Sequence, residues 1–259
     1  MILQTLADCT RARVAQEKKT VPPELVREKA RSLPVGRGTA FFDNLAAQGM
    51  SFICEVKRAS PSKGMIADHF PYLDIARDYE TAGASAISVL TEPEYFKGSD
   101  LYLKEIASAV STPVLRKDFT VDPYQIYQAR ILGASAVLLI CALLDTKTIH
   151  DYLGICHDLG LSAIVEAHDE AEVRSALDAG ADIIGVNNRN LKDFTVSLDN
   201  SLKLRPLVPP EKLFVAESGI KTPDHIRTLE QAGVNAVLIG ETLMRAPDKS
   251  AMLRELRGH

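Results

Sequence analysis

The chain has 259 residues, 46% hydrophobic and 25% charged, with 15 Gly, 13 Pro and no Trp. These proportions exclude collagen-like, low-complexity and disordered chains and are ample for one α/β domain with a sizeable core. Thirty basic and 34 acidic residues give a net charge of −4, so the basic footprint of a nucleic-acid binder is missing and an anionic ligand has to be held by local groups.

In chain order, residues 1–51 hold helical stretches at about 3–18, 24–32 and 39–48. The first begins MILQTLADCTRARVAQEKK, whose early Asp and Arg rule out a signal-peptide core. The basic residues Arg27, Lys29 and Arg31 read as a solvated helix face, and the whole extension is expected to pack against the rest of the chain or to cover a ligand. From residue 52 onward strands and helices alternate. The strands are FICEVK (52–57), AISVL (86–90), PVLRKD (113–118), AVLLI (136–140), SAIVEA (162–167), IIGVN (183–187), LFVAES (213–218) and AVLIG (236–240). Segments such as PYLDIARDYETAG, YQIYQARILG, TIHDYLGICHDLG and PDHIRTLEQAG lie between them with apolar residues three and four apart.

A repeat organises this alternation. TAGASAISVL, ILGASAVLLI, DAGADIIGVN and QAGVNAVLIG share one shape, and Gly83, Gly133, Gly180 and Gly233 recur at intervals of roughly 50 residues, the length of two βα units. Eight such units predict a (β/α)8 TIM barrel, an α/β fold, over 52–259 with residues 1–51 as an N-terminal helical extension, the whole forming one domain. A doubly wound open sheet competes less well, having fewer strands and no fourfold period.

The alternate strands differ in chemistry. Those at 86–90, 136–140, 183–187 and 236–240 are nearly all apolar, as buried parallel strands are. The others end in charge: Glu55 and Lys57, Lys117 and Asp118, Glu166, then Glu217 followed by Ser218. The C-terminal strand ends of a barrel form its active-site face, and residues two apart point to one side, so these groups converge on one mouth. A buried ion-pair network is the bland alternative for any one of them, and a poor explanation for the set. Asn187, Asn188 and Arg189 close the sixth strand with donors for a polar or anionic substrate, or form a simple polar turn. The loops AESGI (216–220) and LIGETLM (238–244) bring small residues where many barrels hold phosphate. The loop RASPSKGMI (58–66) is either a lid or a polar connection. Cys9, Cys54, Cys141 and Cys156 have no framework or CxxC spacing, and the six His form no metal-binding pair. A cytoplasmic protein without a metal or membrane partner is expected.

EVKRASPSKG (55–64), LTEPEYFKGS (90–99), VLRKDFTVDPYQIYQARILGASAVLLI (114–140), IVEAHDEAEV (164–173), GVNNRNL (185–191), VAESGI (215–220) and LIGETLMR (238–245) resemble the indole-3-glycerol-phosphate synthases of tryptophan biosynthesis. The resemblance spans nearly the whole chain. It implies a cofactor-free carboxy-lyase that converts 1-(2-carboxyphenylamino)-1-deoxyribulose 5-phosphate to indole-3-glycerol phosphate with loss of CO2 and water. By motif, Lys117 resembles the general acid at the ketone oxygen. Glu55, Lys57 and Glu166 resemble the other acid–base and substrate-binding groups, and Ser60, Asn187, Arg189 and Glu217 substrate contacts. Ser218, Gly219, Gly240 and Glu241 match the phosphate-holding loops, where the backbone N–H of Glu241 serves better than its carboxylate. Carboxylate loss calls for an apolar surround, expected from Phe96, Phe119 and Leu139. The implied partner is a small phosphorylated substrate met by a monomer. A phosphoribosyl-anthranilate isomerase and a non-catalytic phosphate-ligand binder are the rival readings. The first would need a catalytic Cys–Asp pair, and Cys54 is expected to point away from Glu55.

Overall fold

The computed structural model describes residues 2–190 and 193–258; Leu191 of the NNRNL motif and His259 lie outside them. Eight parallel strands close into a barrel: β1 (Ser51–Val56), β2 (Ala86–Leu90), β3 (Val114–Lys117), β4 (Ala136–Ile140), β5 (Ser162–Ala167), β6 (Ile183–Asn187), β7 (Leu213–Glu217) and β8 (Ala236–Ile239). Each pairs with its neighbours in sequence, and β8 returns to β1 with Ser51 beside Ala236. AISVL, AVLLI, SAIVEA and IIGVN are strands to the residue.

The intervening helices begin where short polar side chains satisfy free N–H groups of the first turn. Asp122 caps Tyr124, Asp145 caps Thr148, Asp169 caps Glu172 and Thr222 caps His225. At the other end the four repeat glycines lie in the left-handed region that an L side chain avoids, with φ of 79° to 89°.

Two packed layers result. Cys54, Val137, Leu139 and Val165 point outward into the layer shared with the helices. Ile53, Leu115, Leu138, Ile140, Ile164 and Val215 point inward and fill the barrel. The extension contacts both ends. Helix α3 (Gly38–Leu45) inserts Phe41 and Leu45, both fully buried, into the interior cluster. It is tied to the N-terminal strand ends: Ser162 Oγ donates to the Gly38 carbonyl, Ser51 Oγ to that of Asn44, and the Asn44 amide to that of Ser85. Helix α1 (Ile2–Thr20) lies over the opposite rim, where Arg13 makes a two-pronged ion pair with Asp118 just beyond β3, at 2.8 and 2.9 Å. Helix α2 (Pro23–Ser32) packs on the helix Pro123–Leu132 that follows β3.

Candidate active site

The C-terminal rim opens on a cavity of about 840 Å³. Inward positions on β1, β3, β5 and β7 change from apolar to charged over one step of two residues: Ile53 to Glu55, Leu115 to Lys117, Ile164 to Glu166, Val215 to Glu217. Lys117 is the hub. Its Nζ lies 2.6 Å from Glu217 Oε2 and 3.2 Å from Glu166 Oε2, while Lys57 Nζ donates to Glu55 Oε1 at 2.5 Å.

Burial alone would lower the Lys117 pKa, but Glu217, Glu166 and Glu55 together outweigh it and hold it above the ordinary lysine value. The group is a desolvated ammonium. Its two partners diverge. Burial raises the Glu217 carboxyl, with Lys117 opposing and the negative charge of Glu166 reinforcing. Glu217 Oε1 is buried without a hydrogen-bond partner among the described residues, which also disfavours its ionised form. Burial pushes Glu166 the same way, yet Lys117 and His168 overcome it and keep this carboxyl below its usual range. One ammonium thus sits between a carboxylate and a neighbouring carboxyl that favours its proton.

The strands between supply room. A Cβ on Gly185 of β6 would stand 2.4 Å from Glu217 Oε1, and one on Gly240 after β8 would stand 2.4 Å from Glu55 Oε1 and 2.8 Å from Lys57 Nζ. Neither position accepts a side chain without displacing the charges. The cavity lining includes apolar side chains: Phe96 and Phe119 at a centroid distance of 6.0 Å, Leu138 and Ile140 of β4, and Ile2, Leu3 and Leu6 of α1. Phe96 is placed by Glu92, whose buried carboxylate accepts the backbone N–H groups of Glu94, Tyr95 and Phe96 at 2.8–2.9 Å. Leu139, expected among them, is elsewhere: the strand alternation turns it outward into the helix-facing layer, and its neighbours 138 and 140 face the cavity instead.

Polar groups line it as well. Asn187 Nδ2 approaches Glu166 Oε1 at 3.4 Å, and its Oδ1 accepts the backbone N–H of Arg189. Arg189 lines the cavity and donates to the Phe194 carbonyl. Asn188 is buried and structural, holding Ser201 through Oδ1 and the Ser218 carbonyl through Nδ2. That bond steadies the loop in which Ser218 takes a left-handed φ of 67° before Gly219. The loop Ser218–Gly219 and the start of the helix Glu241–Arg245 border the cavity together. The Glu241 carboxylate turns to Arg245 Nε at 3.2 Å and lies 3.8 Å from Lys63 Nζ. Lys63 belongs to the loop after β1, which forms a small hairpin of Ala59–Ser60 with Gly64–Met65 and brings Ser60 to the rim.

All the expected site residues except Leu139 therefore line one cavity. Composition and motif did not single out His168, Gly185, Glu92 or the N-terminal leucines. For Gly185 a signal existed, a glycine interrupting a strand of β-branched residues; for the leucines of α1 none did, since their contact is made across the whole chain. Among the described residues no group of three or more His, Cys, Asp or Glu side chains is placed to hold a metal ion, and no helix is long and apolar enough to cross a membrane.

A closed barrel with a buried ammonium among carboxylates, its mouth lined by aromatic and aliphatic groups and by small-residue loops, defines an acid–base enzyme for a ligand part apolar and part anionic. A family model described as indole-3-glycerol phosphate synthase matches residues 3–256. Indole-3-glycerol phosphate synthase from Ruminiclostridium cellulolyticum is 57% identical over all of this chain and 99% of its own length, and that from Lachnoclostridium phytofermentans 52% identical over 99% of each. The chain belongs to the indole-3-glycerol phosphate synthase family. Among solved structures, 3-hexulose-6-phosphate synthase from Salmonella typhimurium superposes with a TM-score of 0.67 at 16% identity, over 81% of this chain and 97% of the other. A mutant tryptophan synthase α-subunit from Pyrococcus furiosus gives 0.61 at 14% identity, over 81% and 98%. These two share the barrel, and at such identities nothing more is carried across.

Proposed function

We propose that this protein closes the indole ring of 1-(2-carboxyphenylamino)-1-deoxyribulose 5-phosphate at the barrel mouth, releasing CO2 and water to give indole-3-glycerol phosphate. The observation that carries the reading is the Lys117 ammonium, desolvated at the cavity floor between Glu217 and Glu166, with apolar groups in the same lining. Such an ammonium protonates the substrate's ketone oxygen as the aromatic carbon attacks. The substrate carboxylate then sits against Phe96, Phe119, Leu138 and Ile140, where its charge is poorly solvated and departs as CO2. Dehydration takes an acid for the leaving hydroxyl and a base for the ring-side proton. Lys57, paired with Glu55, serves the first and ionised Glu166 the second. Asn187, Arg189, Ser60 and Glu217 orient the substrate's polar groups. The backbone N–H groups at Ser218, Gly219, Gly240 and Glu241 receive the phosphate.

The extension and barrel act as one unit, because Ile2, Leu3 and Leu6 line the same cavity as the strand-end charges. We read the chain as a cytoplasmic monomer whose partner is this small phosphorylated substrate. The closed barrel leaves no strand edge of its own to pair with a second copy.

The test is product fluorescence on mixing protein and substrate, beside Lys117→Ala. The native protein should give the indole signal, and the variant should lose about 10²- to 10⁴-fold in kcat. A signal that survives the substitution moves the proton donor to Lys57. A folded native protein that retains the substrate without turning it over is a binder, and the reading fails.

A further inference from the structure

His168 stands directly behind Glu166 and takes no part in the ring closure, decarboxylation or dehydration steps. It follows β5 by one residue, so that its backbone N–H meets Glu172 Oε2 at 2.8 Å and its ring Nδ1 meets the same oxygen at 3.0 Å. Glu172 is itself fixed in the first turn of the helix Glu170–Asp178, which Asp169 caps. The ring's other nitrogen, Nε2, is buried and lies 3.4 Å from Glu166 Oε1, within ion-pair reach but not aligned as a hydrogen bond. From the neighbouring helix the Asn200 amide holds the His168 carbonyl at 3.1 Å.

Both ring nitrogens therefore face carboxylates, and an ionised carboxylate only accepts. A neutral imidazole has one N–H and one lone pair, so either tautomer would aim a lone pair at a carboxylate oxygen. Only the imidazolium suits both neighbours. The other charged groups around it act in the same sense: Glu166 and Glu217 from inside the barrel and Glu172 from the helix. Against them stands burial, which they outweigh, so the His168 pKa is raised. Cys141, beside Glu166 and Glu172, keeps its proton, its thiol pushed up to about 12 by burial and by those two carboxylates, and adds no charge.

We propose that His168, clamped by Glu172, is a positioning residue for the reaction: as a cation behind Glu166 it keeps that carboxylate ionised and turned with Oε2 toward Lys117 and the substrate. The proposal rests on the synthase reading, in which Glu166 is the base. It adds to the two donors on Glu166, Lys117 on one oxygen and Asn187 on the other, the charge of His168 at ion-pair distance from the second oxygen. Glu166 would otherwise share the fate of Glu217, the similarly buried carboxyl that has no such second cation among the described residues and favours its proton.

Two measurements test this. In the native protein, ¹⁵N NMR of the histidine rings should find both nitrogens of His168 protonated at pH 7, and Glu172→Gln should move its titration to lower pH. In the pH profile of kcat, His168→Gln retains an amide beside Glu166 but no charge. Its acidic limb should move up by about 1 pH unit, with KM within about threefold of native, whereas a merely structural role lowers kcat equally at all pH. An unmoved limb in a folded His168→Gln, or a singly protonated His168 ring at pH 7, overturns the proposal. If the native protein has no turnover, the synthase reading fails, while the NMR still reports separately whether His168 is a cation between two carboxylates.

Discussion

The two ends of the barrel interior are built from the same strands and answer to different physics. At the N-terminal end, Ile53, Ala86, Leu115 and Ile183 meet Phe41 and Leu45 of α3, and the space is closed with apolar side chains. Two residues further along β1 and β3, at the C-terminal end, the same faces carry Glu55 and Lys117, joined by Glu166 and Glu217. Filling the mouth with leucines would make a more stable protein, because buried ion pairs barely repay their desolvation. The contrast marks a division of labour within one layer spacing, with stability at the bottom and chemistry at the top. The extension respects it too. Helix α3 plugs the apolar end through aromatic packing, whereas α1 reaches the charged end through an ion pair, Arg13 to Asp118, and leaves a cavity beneath it.

Perturbing one end at a time sharpens this contrast. Phe41→Ala at the plug should cost about 3–5 kcal/mol of stability, seen in denaturant unfolding, because a fully buried ring leaves a void. At a temperature where the variant is folded, its kcat should match native. A fall in kcat with unchanged stability would erase the division. Gly240→Ala at the mouth should do the reverse. The added Cβ falls on the Glu55 carboxylate and the Lys57 ammonium, so kcat should drop at least about tenfold, a rise of about 1.4 kcal/mol in the barrier, with little change in unfolding. An active Gly240→Ala enzyme would mean that the Glu55–Lys57 pair moves freely.

The mouth also responds to pH. Burial raises the Glu217 carboxyl to about 7 in the folded chain from an ordinary 4.5. The folded state therefore binds this proton more tightly than the unfolded one. Its contribution to stability is complete below pH about 4.5 and is lost as pH rises through about 7. Glu217→Gln, which cannot ionise, should gain on the native protein as pH is raised from 5 to 9, by about 2–4 °C in Tm for each kcal/mol involved. A Tm difference between the two proteins that is flat with pH would mean that Glu217 does not titrate in this range.

The barrel was legible because each of its requirements is local. Strand faces follow from a period of two, helix starts from Asp and Thr caps, and helix ends from the repeat glycines. The mouth was legible for a related reason: charge at the ends of alternate strands has little use in a packed interior, so Glu55, Lys117, Glu166 and Glu217 stood out from the sequence. Leu139 marks the limit of such legibility. It belongs to the right strand, and one residue of register sends it to the helix side instead of the cavity.

By itself the sequence determined the order of elements, the closed eightfold repeat, the family and the chemical character of the mouth, since these depend on residue type and spacing along the chain. Only the tertiary structure decided which side chains come together: Arg13 with Asp118, the N-terminal leucines with the cavity at the mouth, Gly185 beneath Glu217, and His168 between Glu166 and Glu172. Those contacts join residues on different elements, and their energies come from distance and desolvation, quantities that spacing along the chain does not carry.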